Sequence, residues 1–196
     1  MTDQELAARV IATGDAKAFG ELVERHQPAI RRFLRRLVGG DDAAADDLAQ
    51  ETFLAAFTKI HTFRGQAALG TWLHTIAYRK FLSMRRKHRN TQVTDQVPDA
   101  GQDTRAAADR EILARQLLAQ LGDEDRACMT LAYGAGLTHA EIARVVGQPL
   151  GSVKARIHRA KLKLQNWLET HDHSLQTPAD TKKAGHQTAN GGRHAG

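Results

Sequence analysis

Residues 138–168 read THAEIARVVGQPLGSVKARIHRAKLKLQNWL. Thr138 followed three residues later by Glu141 forms a capping box, in which each residue satisfies an amide of the other at a helix N-terminus. A short helix with Ile142, Val145 and Val146 facing inward follows from that cap. Gly147 suits the left-handed stop, and Gln148-Pro149-Leu150-Gly151 suits a tight turn. Ser152 then opens a longer helix with Val153, Ile157, Ala160 and Leu164 as its inner stripe. Lys154, Arg156, His158, Arg159, Lys161 and Lys163 fall on its flanks and outer side. A short helix, a glycine-containing turn and a longer basic helix are the grammar of a helix-turn-helix. Such a second helix fits a DNA major groove, with Arg and Lys on phosphates and a few side chains at base edges.

The charge along the rest of the chain is segregated in the same manner. The 196 residues hold 28 Lys+Arg and 22 Asp+Glu, a formal charge of +6. Asp41 to Glu51 carries five acids and no base, whereas Arg79 to Arg89 carries six Lys/Arg and no acid. Blocks of opposite sign on one chain suggest two kinds of partner, one a polyanion and the other basic.

Composition divides the chain into four parts. Residues 1–88 form an N-terminal helical domain, and residues 89–106 a linker whose central text, NTQVTDQVPDAGQDT, has no hydrophobic period. Residues 107–170 hold the helix-turn-helix domain. Residues 171–196 are poor in apolar side chains and read as a disordered tail. The fold class is all-α: two small helical domains joined by a flexible linker, the second a helix-turn-helix domain.

In the N-terminal domain Asp15 caps a helix with apolar positions Phe19, Leu22, Val23, Ile30, Phe33, Leu34 and Leu37, which Gly39-Gly40 ends. A second helix, from about Asp42 to Ile60, has Ala49, Phe53, Ala56, Phe57 and Ile60 as its expected buried stripe. Its opposite side shows Asp47, Glu51, Leu54 and Thr58, with Gln50 at the edge. A glycine-bounded loop, Gly65 to Gly70, leads to a third helix that starts at Thr71 and continues into the basic run.

Other function classes find no support. No HExxH, phosphate-binding glycine loop, nucleophile elbow or cysteine pair is present, so no enzyme activity and no cofactor are expected. Cys128 stands alone and cannot form an intramolecular disulfide. The tail histidines, among them His171, His173, His186 and His194, lack ligand spacing, so no metal site is expected. With no apolar run long enough to span a bilayer and no signal-like start, a cytoplasmic protein without membrane insertion is expected.

Taken together, these motifs resemble the bacterial sigma factors of the extracytoplasmic-function class, which keep only sigma regions two and four. The segment Asp46-Asp47-Leu48-Ala49-Gln50-Glu51-Thr52-Phe53 is similar to the part of region two that docks on RNA polymerase. FRGQAALGTWLHTIAYRKFLSMRRK, Phe63 to Lys87, is similar to the part that opens and reads the −10 element. The helix-turn-helix is similar to the −35 reader of region four.

The resemblance implies core polymerase contacts at Asp47, Gln50, Glu51 and Leu54. It implies −10 contacts at Phe63, Arg64, Trp72, Arg79, Lys80, Arg85 and Arg86, with the Gly65–Gly70 loop capturing an unstacked base. It implies −35 contacts at Ser152, Lys154, Arg156, His158 and Arg159. A dedicated anti-sigma factor is a family habit. Arg79 and Ser83 stand where many members have Asn and Asp, which leaves the −10 base preference open. The alternative is an autonomous helix-turn-helix regulator that binds its operator unaided.

Overall fold

The computed structural model describes residues 1–91 and 105–175, with side chains for 1–88 and 111–171. The central linker and the last part of the tail, residues 92–104 and 176–196, lie outside the described residues. No strand occurs among the described residues; the elements are helical throughout.

Helix α1 (Asp3–Thr13) begins at a Thr2/Glu5 capping box, ends at left-handed Gly14, and buries Leu6, Ala7 and Val10. Helix α2 (Ala16–Leu37) is capped by Asp15, whose carboxylate accepts the amides of Lys17 and Ala18. Those amide bonds, that of Ala18 above all, hold the Asp15 carboxyl below its usual range. Leu22, Ile30, Phe33, Leu34 and Leu37 are buried as the three- and four-residue spacing requires, while Phe19 and Val23 are half-buried.

Gly40, at φ +97°, makes the turn into helix α3 (Asp42–Lys59). A Cβ there would lie 2.7 Å from Cδ of Arg115, so a side chain would be strained by the positive φ and would also force Arg115 to shift. Gly40→Ala is expected to cost about 1–2 kcal/mol and lower the melting temperature by about 2–6 °C, measured by thermal unfolding.

The inner face of α3 differs from expectation at one position. Ala49, Phe53, Ala56 and Ile60 are buried, but Phe57 is 43% exposed. Ala45, Leu48 and Thr52 take up the other side of the buried arc, because α3 is flanked by α2 and by α4. Thr52 satisfies its buried hydroxyl by donating to the Leu48 carbonyl at 2.7 Å. A 3₁₀ turn (Ile60–Thr62) and the loop then lead to α4 (Leu69–Thr91), which starts two residues before Thr71.

The C-terminal half comprises α5 (Arg105–Ala119), α6 (Asp123–Met129), a π-helical turn (Thr130–Gly134), α7 (His139–Val146) and α8 (Leu150–Leu175). Helix α8 runs past the expected domain end at residue 170, and within that extension His171 stacks on Trp167 at 4.2 Å. The two halves share one continuous apolar core. Helix α7 packs on α4, and α2 packs on α6 and the π-helical turn. Thr71 Oγ1 donates to Glu141 at 3.1 Å, Arg85 Nε to Asp123 at 2.9 Å, and Arg126 to the Leu37 carbonyl at 3.1 Å. Tyr78, 3% exposed, lies within this seam, and burial is the main cause that pushes its hydroxyl up to about 12. Small helical halves bury too little surface on their own, which favours such packing.

Candidate nucleic-acid interface

The helix-turn-helix is built as its residues dictate. Glu141 Oε2 accepts from the Thr138 amide at 2.9 Å and from its hydroxyl at 2.7 Å, while the Glu141 amide donates back at 3.3 Å. The bonds from Thr138 hold the Glu141 carboxyl below its usual range. Gly147 (φ +68°) closes α7 by donating to the Ala143 carbonyl. The second helix begins at Leu150 rather than Ser152, with Val153 bonded back to the Pro149 carbonyl.

Val153, Ile157 and Ala160 are buried. Ser152, Lys154, His158 and Arg159 are exposed in steps that keep them along the outer side of α8. Arg156 does not join them. Its guanidinium turns inward and pairs with Glu124 at 2.6 Å and Asp125 at 2.7 Å, leaving its side chain only 23% exposed. The reason is positional: residue 156 lies three after Val153 and four before Ala160, on the inner stripe. Beneath it Cys128 is buried, and burial pushes its thiol up to about 11, so it is an inert core residue.

In the N-terminal half the −10 candidates fall into three groups. Arg64, Arg79 and Arg86 are exposed. Phe63 and Trp72 are half-buried and lie against each other, with ring centroids 5.7 Å apart at the base of the Gly65–Gly70 loop. Lys80 instead pairs with Glu51 at 2.9 Å, and Arg85 with Asp123 across the seam. These two bases are therefore held by carboxylates that nucleic acid would have to displace.

The acidic helix α3 presents Asp47, Gln50, Glu51 and Leu54 outward, with Leu54 71% exposed. Gln50 and Leu54, with Phe19, Val23, Phe53 and Phe57, line an open groove of about 800 Å³ between α2 and α3. The neighbouring acids are engaged within the fold. Asp41 caps α3, Asp42 pairs with Arg31 and Arg35, and Asp46 bonds Arg31, which holds the Asp46 carboxyl below its usual range. In this block only Asp47 has no cation or amide beside its carboxylate among the described residues. Sequence reasoning missed the Lys80–Glu51 and Arg85–Asp123 pairs, the inward turn of Arg156, and a pair of histidines, His26 and His74, beside Gly70.

Two family profiles match the chain: Sigma-70 region 2 over residues 22–91, and Sigma-70 region 4 over residues 112–164. The ECF RNA polymerase sigma-E factor of Haemophilus influenzae is 31% identical over 185 residues, spanning 86% of this chain and 96% of that protein. The ECF RNA polymerase sigma factor SigM of Mycobacterium tuberculosis is 34% identical over 170 residues, spanning 85% of each. Among solved structures, CnrH in complex with the cytosolic domain of CnrY matches with a TM-score of 0.67 and 28% identity, over 86% of this chain and 97% of that one. The sigma factor RpoE in complex with the anti-sigma factor NepR, from Bartonella quintana, matches with a TM-score of 0.70 and 27% identity, over 79% of this chain and 98% of that one. With a basic outer side on its helix-turn-helix, an acidic exposed face on α3 and the two region profiles matched in this order, the chain belongs to the extracytoplasmic-function class of bacterial RNA polymerase sigma factors.

Proposed function

We propose that this sigma factor directs core RNA polymerase to its promoters through three separate surfaces. The exposed side of α3, with Asp47, Gln50, Glu51 and Leu54, is the polymerase contact. The Gly65–Gly70 loop with Phe63, Trp72 and the exposed bases Arg64, Arg79 and Arg86 captures and reads the melted −10 strand. Ser152, Lys154, His158 and Arg159 read the −35 duplex. The observation that carries this reading is the separation of charge: basic outer rows on α4 and α8, and an acidic, partly apolar face on α3. An autonomous regulator finds no support among the relatives.

A cytosolic anti-sigma partner is part of the proposal, because both solved relatives above are complexes of that kind or with a partner's cytosolic domain. No helix among the described residues is long and apolar enough to cross a membrane. A cytoplasmic location and a non-enzymatic role accord with work on the polymerase.

Run-off transcription with core polymerase on a genomic fragment library tests the reading. Discrete transcripts that need both proteins are expected; none, together with a footprint by the protein alone, would overturn it. Arg79→Asn is then expected to reorder the ranking of −10 variants while leaving core affinity unchanged. An equal weakening of all promoters would mark Arg79 as a phosphate contact only.

A further inference from the structure

Gly70, the second residue of α4 and the end of the Gly65–Gly70 segment, is bonded by one imidazole and neighboured by another. His74 is 5% exposed, and its Nδ1–H donates to the Gly70 carbonyl at 2.7 Å. The Phe33 ring packs edge-on against it at 5.1 Å. The His26 ring is a near neighbour of Gly70 as well, its Cε1 and Nδ1 standing 3.7 Å from where a Cβ of residue 70 would be. His26 is itself aimed by α1, through an Nε2–H···Oδ2 bond to Asp3 at 2.7 Å.

A histidine is an expensive choice for mere filling here. The Nε2 of His74 is buried with no hydrogen-bond partner, a vacancy that a leucine of similar reach would avoid. What the imidazole adds is a second donor on the carbonyl of Gly70, within the first turn of α4. Without it, only the helix ladder would define where the loop ends.

We propose that His74 and His26 are positioning residues for base capture, clamping Gly70 so that the Gly65–Gly70 loop enters α4 at one fixed place. The proposal rests on the reading of that loop as the base-capturing element. Asp3 belongs to the same device, since it orients His26 from the N-terminal helix.

The clamp is sensitive to protons. Burial holds the His74 ring below the usual imidazole range, with the Gly70 bond opposing and nearby His26 reinforcing the shift. The charged and titratable groups around it are Asp3 of α1, His26 and Arg25 of α2, and Glu141 of α7, which reaches Thr71. From α3, Glu51 pairs with Lys80 further along α4. A ring whose pKa falls on burial binds more protons when released than when clamped. The clamp is therefore intact above the ordinary histidine range, about 6.5, and weakens as pH falls below it.

The test uses holoenzyme, a promoter recovered by run-off, and a single-stranded oligonucleotide of its −10 sequence carrying 2-aminopurine. His74→Phe is expected to keep core affinity within about twofold but to bind the oligonucleotide at least fivefold more weakly. His74→Asn, which restores a donor near the Nδ1 position, should recover most of that loss and flatten the decline in binding between pH 7.5 and 5.5. Asp3→Asn, exposed enough to be tolerated, should weaken binding about threefold and guards against a His74 variant that fails to fold. Wild-type binding by both His74→Phe and Asp3→Asn, or His74→Asn as weak as His74→Phe, overturns the clamp. Shortening the loop by deleting Gln66 and Ala67 separates the two readings. If that deletion leaves binding intact, the loop captures nothing and the clamp falls with it. If the deletion abolishes binding while the clamp variants are silent, only the clamp is wrong.

Discussion

Reversing Asp47 and Glu51 to Lys together is expected to abolish binding to core polymerase at ordinary concentrations. The two carboxylates lie one turn apart on the outer side of α3, next to the 71%-exposed Leu54. Like charges brought together at an interface cost on the order of several kcal/mol, and each 1.4 kcal/mol is a factor of ten in affinity. The two positions differ in an instructive way. Glu51 already faces Lys80 at 2.9 Å, so its reversal also sets two lysines side by side, whereas Asp47 has no cation paired with it among the described residues. Asp47→Lys alone should therefore carry the larger share of the loss. An exposed pair such as Glu51–Lys80 is worth only about 0–1 kcal/mol, so the fold should survive the double change. Titration of labelled core polymerase, with circular dichroism as the control, decides it; an unchanged dissociation constant would remove α3 from the interface.

Two arginines three residues apart on α8 should fail in different assays. Arg156→Ala leaves Glu124 and Asp125 facing each other over buried Cys128, without the guanidinium that joins them. The pair lies between the surface and the fully buried limits, so a loss of about 1–3 kcal/mol of stability is expected, or several degrees in melting temperature. Arg159→Ala, exposed on the outer side, should change stability by less than about 0.5 kcal/mol. It should instead cost about 1–3 kcal/mol of promoter affinity if it contacts a base, or reduce the salt slope by about one if it contacts phosphate. Thermal unfolding and promoter binding at several salt concentrations separate the two. If Arg156→Ala left the melting temperature unchanged and lost DNA affinity, the inward pairing would not govern its role.

What was legible in the sequence was what local chemistry decides. The Thr138–Glu141 box, the Gly147 stop and the Asp15 cap act within a few residues, and each stands where the spacing required it. Arg156 shows how charge can mislead. Grouped with its basic neighbours it reads as outward, yet its register with Val153 and Ala160 already placed it on the inner stripe, and Asp123-Glu124-Asp125 supplied acids to meet it. Phe57 fell at the margin of an arc that two flanking helices set, and one helix wheel cannot show both neighbours. The seam between the halves was invisible for a stronger reason. Thr71 and Glu141, or Arg85 and Asp123, are far apart in the chain and meet only through the fold. His74 could be placed in the core from its spacing with Leu73, Ala77 and Tyr78, but its partner Gly70 and its neighbour His26 could not be read.

The Thr71–Glu141 contact joins the N-terminal end of α4, proposed above to read the −10 strand, to the helix-turn-helix proposed to read the −35 duplex. Helix-turn-helix modules that read separate sites on one face of a duplex stand at least one turn apart, about 34–36 Å. If the two promoter elements lie that far apart, the seam would have to part like the legs of a caliper before both are engaged. The covalent tether sets how far. Thirteen residues lie between Thr91 and Arg105, and thirteen residues of fully extended chain reach about 45 Å. The seam that would yield is held by ion pairs such as Arg85–Asp123, about a quarter to a third exposed and individually weak. Whatever fraction of molecules is closed reduces the apparent affinity for the promoter by that population, and a partner that binds only the parted form raises it again.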